Sequence, residues 1–475
     1  MNLSIELVPL IPPVADRRGE GESGSFGARA LPPPLSERVA AIRRAGFNTS
    51  LLASEELFLD MLSERTPSAR TCGVGAASVA APPPLQAAAR ALFGTEFVLP
   101  VRRGRSAERA ICECFARPGA IVATNCRFAT TRANVEAMGA ALYELPSLAA
   151  LDPGHFEPFK GDMDIQALET LAAAKASSLA FVRMEASANL LGGQPFSLAN
   201  LREVSRIARS LEVPLVLDAS LLEENVDMIR EREPGMAGLF PAALYREIAE
   251  LCDLLYISGR RPPDSRGGAI LCSDRRFFDV LGSRLPALEE CRDYDGICSD
   301  EIAAMVGALS APGAVTEPSR RPSAVLTERL AAAGIPVALP VGAQGCHIDA
   351  RSFLPHLEAG QYPAASLAAA LYVATGARGM ERGTLSAGRD GRGREAPAEL
   401  ELLRLAPARE GLSQTALRFL EDRLVWLQAN AGIVGGLRFV VEPPVLRFLT
   451  GRLEAVGDWT QRLARALQQD YGGAA

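Results

Sequence analysis

The stretch DLLYISGRRPPDSRGGAILCSD, Asp253 to Asp274, sets two arginines, Arg260 and Arg261, at the C-terminal end of an apolar run. A second basic loop stands in FVLPVRRGRSAERAICECFA, where Arg103, Gly104 and Arg105 separate a strand-like run from a helical one. A helix N-terminus offers N–H groups and partial positive charge, and Gly104 lets a phosphate approach the backbone. Arg103 and Arg105 can add bidentate contacts, so this loop reads as an anion site, with a solvated basic turn as the plainer alternative. Asp218 ends the run PLVLDA, as either a helix cap or a functional carboxylate. Taken singly, Phe128 in NCRFATT suits the core, and Asn189 in ANLLGGQP suits a turn. Arg409 in RLAPAREGLSQT suits a surface ion pair.

The elements that must position these residues are legible as an alternation. Apolar runs at 97–101, 120–124, 141–145, 179–184, 214–219, 254–258 and 268–272 are separated by helical patterns, one of them a stripe of Leu201, Val204, Ile207 and Leu211. Strands apolar on both faces and alternating with helices predict an α/β fold with a mostly parallel central sheet sandwiched by helices. Ligands of such sheets sit beyond the carboxyl ends of the strands. After about residue 310 helices mix with a few runs such as IPVALPV and LRFVVEPP, which predicts a smaller α+β domain. The expected division is an arm and helix over 1–50 packing with the small domain, a large domain over 51–310 and a small one over 311–475.

Composition narrows the classes. The 475 residues carry a net charge of −6, against a nucleic-acid partner. No apolar run reaches membrane-spanning length and the start lacks a signal-peptide pattern. The 9 cysteines, without a C-x-x-C pair, suit reduced thiols in a cytoplasm, and 3 histidines make a histidine-built metal site improbable. Of 50 Lys plus Arg, only Lys160 and Lys175 are lysine, the bias of a GC-rich genome.

In order along the chain, RAGFNTSLLASEELFLDML, LFGTEFVLPVRRGRSAE, NLLGGQPFSLANL, DLLYISGRR, GGAILCSD, MERGTLSAGRDGRG and GLRFVVEPPVLRFLTGRL resemble the β-eliminating lyases, tyrosine phenol-lyase and tryptophanase. The resemblance covers about residues 38 to 460, and SGRR and MERG…SAGR look closer to tyrosine phenol-lyase. It implies the pyridoxal-phosphate (PLP) transferase fold type I, that of aspartate aminotransferase. It also implies roles: Arg103, Gly104, Arg105 and Ser258 at the cofactor phosphate, Phe128 stacked on its ring, Asp218 at the ring nitrogen and Asn189 near its hydroxyl. Arg409 would grip the amino-acid carboxylate, and Arg382 and Phe448 would surround the phenol ring. Homodimers or homotetramers with sites at the interface are implied as well.

The departures matter as much. The family pattern reads Ser-Gly-Lys-Lys, its second lysine forming the imine with PLP, and Arg261 stands at that position. Imine formation needs a neutral amine, whereas a guanidinium keeps its proton and is a poor nucleophile. The family's tyrosine aligns near Ala76, its histidine near Gln344 with His347 close by, its second arginine at Leu221 and its threonine at Ala129; the family's Gln stands where Arg103 is. Two expectations follow. One is a repurposed enzyme that binds PLP, pyridoxamine phosphate (PMP) or an aromatic amino-acid-like small molecule noncovalently, with Arg261 as an electrostatic stabiliser. The other is a non-catalytic binding or scaffold subunit without cofactor, its pocket filled by side chains such as an Arg261–Asp218 pair. A conventional PLP-dependent lyase stands behind both.

Overall fold

The computed structural model describes residues 31–62, 83–126, 128–258, 267–288, 299–310, 321–389, 393–408 and 411–472. The described residues form two units. One draws on Pro67–Ala324 and Ala338–Gly345, the other on Met1–Thr66, Val325–Val337 and Cys346–Ala475.

The first unit is built on a seven-stranded sheet. Its strands are β1 (Phe97–Val101), β2 (Ile121–Thr124), β3 (Ala141–Glu144), β4 (Leu179–Glu185), β5 (Leu215–Asp218), β6 (Leu254–Ser258) and β7 (Gly268–Cys272), in the spatial order β1-β7-β6-β5-β4-β2-β3. All neighbours are parallel except those of β7, which runs antiparallel to β1 and β6. The C-terminal ends of the six parallel strands therefore share one edge. Alternation puts Leu215 and Leu217 into the core on one side of the sheet and Val216 into the core on the other. Ser197 starts the crossover helix Leu198–Ser210, its Oγ accepting the Asn200 N–H at 3.0 Å. Leu211, expected on that helix, is its C-cap.

The second unit holds a three-stranded antiparallel sheet, with β10 (Leu402–Leu405) between β8 (Cys346–Asp349) and β9 (Met380–Arg382). Against the expectation for IPVALPV, this segment makes only a single bridge, Val337 to Ile348. Pro336 and Pro340 lack the N–H a ladder requires. LRFVVEPP does supply a strand, Leu437–Val441. Among the described residues no helix is long and apolar enough to cross a membrane.

Candidate functional site: a carboxylate crevice beside a helix N-terminus

The loop after β1 leads into helix α1 (Gly104–Phe115), with Arg103 as its extended N-cap. Arg103 is exposed and Arg105 half-buried. Gly104 sits in close approach: a Cβ there would meet the Ser258 Cβ at 3.0 Å. Gly268, opening β7, does likewise, since its Cβ would lie 3.0 Å from the Gly104 nitrogen. The helix start is thus pressed against the end of β6. From there contacts run inward. Ser258 N–H donates to Ser220 Oγ at 3.2 Å, and Ser220 N–H donates to Asp218 Oδ1 at 3.1 Å.

Register brings the next groups together. Glu185 of β4 pairs with Asp218 of β5, and Asp218 with Tyr256 of β6, so three side chains line up across neighbouring strands. Two carboxylates opposite each other repel. Arg183, two residues before Glu185 and on the same face, answers that repulsion. Its Nη2 donates to Asp218 Oδ2 at 2.9 Å and to the Tyr256 hydroxyl at 3.0 Å, and its Nη1 to Glu185 Oε2 at 3.2 Å. The Tyr256 hydroxyl in turn donates to Asp218 Oδ2 at 2.9 Å. Arg183 side-chain exposure is 2% against 17% for Asp218, so the guanidinium lies beneath the carboxylate and the carboxylate faces outward.

Glu108, on α1, completes the cluster. It accepts from Thr130 Oγ1 at 2.7 Å and from Thr131 Oγ1, with Asn134 Nδ2 at 3.1 Å. Arg183 Nη2 is 3.7 Å from its Oε1. Burial raises the Glu185 carboxyl above the ordinary range, and Asp218 adds to that while Arg183 opposes it. Burial also pushes Tyr256 up, so the phenol keeps its proton and donates.

Phe128 is the half-buried N-cap of the helix Ala129–Ala137. Its loop is tied to the cluster through the Cys126 carbonyl, 3.3 Å from Arg183 Nη1. Asn189 begins a short 3-10 turn, its N–H donating to Glu185 Oε1 at 3.0 Å and its Nδ2 to Gln344 Oε1 at 3.0 Å. Gly193, four residues on, has φ +70°, and a Cβ there would strike the Ala343 oxygen at 1.9 Å. Gln344, where the resemblance expects a histidine, therefore meets Asn189, while His347 lies buried in β8. Asp218 is not a helix cap: the helix Leu222–Arg232 starts from Leu221 without a side-chain cap.

The other unit holds Arg382 and Phe448, both buried. Arg447, beside Phe448, donates to the carbonyls of Thr384 at 2.7 Å and Leu385 at 3.1 Å, which ties the segment after Arg382 to that of Phe448. Glu381 accepts from Gly383 N–H at 3.0 Å and from Ser386 Oγ at 2.5 Å, and burial pushes it up to about 7. Arg261 and Arg409 lie outside the described residues, as does the segment around Ala76.

Sequence reasoning passed over Arg183, Glu185, Glu108 and Tyr256. The signal was present: LAFVRME carries two charges inside a strand expected to be covered on both faces.

The fold is that of the PLP-dependent transferases of fold type I. Bna3p from Saccharomyces cerevisiae superposes with TM-score 0.59 at 15% identity, covering 83% of this chain and 95% of its own. An aspartate aminotransferase double mutant from Thermus thermophilus gives TM-score 0.52 at 16% identity, covering 83% and 95%. Residues 79–423 match the beta-eliminating lyase family, and the chain belongs to it. It is 34% identical over 431 residues to the tyrosine phenol-lyase of Intrasporangium calvum, covering 88% of this chain and 91% of that one. To the tryptophanase of Salinibacter ruber it is 33% identical over 430 residues, with 88% and 91% covered.

The residues fit PLP at one end only. Gly104 and Ser258, pressed together at a helix start, suit its phosphate. At the ring end Asp218 already holds a guanidinium and a phenol. For the aldehyde an amine is needed, and the chain has two. Lys160 Nζ donates to the carbonyls of Asp152 at 2.5 Å, Pro153 at 3.2 Å and Leu339 at 2.7 Å. Lys175 ends the helix Ile165–Lys175 and donates to the Tyr143 hydroxyl at 2.8 Å on an exposed edge.

Proposed function

We propose that this chain is a beta-eliminating lyase homologue that works without imine chemistry: it binds PLP, PMP or an aromatic amino-acid-like small molecule noncovalently. The observation that carries this reading is the commitment of both lysines. Lys160 directs its ammonium at three backbone carbonyls and Lys175 sits against Tyr143. With Arg261 at the position the family gives to its imine-forming lysine, neither lysine of the chain stands at that position.

The chain's own residues then divide the work. The start of α1, with Arg103, Gly104, Arg105 and Ser258, would hold the anionic end of the ligand. Phe128 would lie against its ring, Asn189 and Asp218 would orient the ring's polar edge, and Arg409 would take a carboxylate. Arg382 and Phe448 favour an aromatic group, and Arg261 would supply positive charge without transferring a proton. A homodimer or homotetramer is the assembly this family membership suggests.

A second reading, a non-catalytic scaffold, is favoured by one observation: the Asp218 carboxylate is already engaged by the chain's own side chains. A visible-absorbance titration separates the readings. Under the first, PLP added to the wild type quenches intrinsic fluorescence without an imine band, and Arg261→Lys gains that band. Absence of any ligand response favours the scaffold, and an imine band in the wild type overturns both.

A further inference from the structure

We propose that Arg183 is the built-in counter-cation of Asp218, supplying from beneath the positive charge that a ligand's ring nitrogen would otherwise bring, so that the Asp218 end of the site takes a neutral ring. The ligand half of the proposal rests on the noncovalent reading above; the pairing itself does not.

A carboxylate has about four lone-pair sites. At Asp218 three are taken, by Ser220 N–H at 3.1 Å, Arg183 Nη2 at 2.9 Å and the Tyr256 hydroxyl at 2.9 Å. All three donors belong to the chain, and one of them is a full cation. Arg183 cannot withdraw easily. Its Nη1 is held by Glu185 at 3.2 Å and by the Cys126 carbonyl at 3.3 Å, and its Nε by Tyr256 at 3.1 Å. The remaining acidic neighbours do not free it. Glu108 is served by Thr130, Thr131 and Asn134, and lies farther from the guanidinium, at 3.7 Å, than Asp218 does. Glu185 has a second donor in the Asn189 N–H at 3.0 Å. A pyridinium arriving at Asp218 would find one acceptor site and a guanidinium behind it. A ring without charge at that position gives up little by comparison.

Two measurements decide it. The first needs no ligand: a thermal-melting cycle of Arg183→Met, Asp218→Asn and the double variant. Removing one partner of a buried pair strands the other. Arg183→Met is therefore expected to lower Tm by about 5–10 °C, with roughly half of the loss recovered when Asp218→Asn is added. The same cycle with Glu185→Gln is expected to recover less. If Arg183→Met does not fold, Arg183→Gln, which keeps a donor without the charge, carries the same readout. Additive losses, or recovery by Glu185→Gln alone, would overturn the assignment.

The second compares PMP with its 1-deaza analogue, in which C–H replaces the ring nitrogen, by calorimetry. The wild type is expected to bind the two within about threefold, and Arg183→Met to favour PMP by about tenfold or more, the worth of a charge-assisted hydrogen bond. A wild type that already prefers PMP tenfold would overturn the proposal. If neither compound binds either protein while the melting cycle shows coupling, the noncovalent-ligand reading fails and the Arg183–Asp218 assignment stands.

Discussion

The helix start at Gly104 and the row of side chains at Asp218 are built on opposite principles. At the helix start, Gly104 and Gly268 keep side chains out so that Ser258 and the backbone pack closely against the first N–H groups of the helix. At the far end of the same contact chain, Asp218 is covered from below by Arg183 and Tyr256. One end is shaped by backbone packed close around its glycines; the other has its carboxylate charge answered by the chain's own side chains. The helix start depends on backbone shape and the Asp218 row on a few side chains, so substitutions can alter the second while leaving the first intact.

Breaking either end gives different losses. The largest is expected at Arg183: in chemical denaturation Arg183→Met costs about 3–5 kcal/mol, since it strands buried carboxylates. Gly104→Val attacks the other end. Its Cβ begins 3.0 Å from that of Ser258, so it costs about 1–3 kcal/mol by overpacking, and it should weaken PMP binding more than it weakens the fold. Tyr256→Phe sharpens the ring end, removing a hydroxyl shared by Asp218 and Glu108 for about 1–2 kcal/mol.

Apart from these substitutions stands the dependence on pH from carboxyls served by neutral donors. Burial raises Asp162, whose oxygens accept from Ser197, to about 7, and Glu381 to about 7, from ordinary values of 3.8 and 4.5. Their folded pKa values exceed the unfolded ones, so the native state holds extra protons in between. The stability they contribute is full below about pH 4 and is lost as pH rises through about 7. Melting followed from pH 5 to pH 8 should show this decline, and Asp162→Asn with Glu381→Gln should flatten it.

Much of this was legible in sequence. All seven strands of the large sheet fall where the apolar runs place them, because burial on both faces demands apolar residues. The strand–Gly loop–helix at 97–115 was readable for the same reason, since Gly104 sits where periodicity changes. The Arg183 network was not. That Glu185, Asp218 and Tyr256 share a row depends on register among three strands far apart in sequence, which no local pattern carries. Asp218 reads in sequence as either a helix cap or a functional carboxylate, and the structure excludes the cap. IPVALPV misled because apolar alternation says nothing about the donors its prolines lack.

The claim that most depends on measurement is that this homologue forms no covalent bond with PLP. Incubation of the wild type with PLP, borohydride reduction and intact-mass spectrometry tests it directly. The expected result is the unmodified mass, with Arg261→Lys acquiring one reduced adduct at residue 261. A stoichiometric adduct on Lys160 or Lys175 of the wild type would contradict the account.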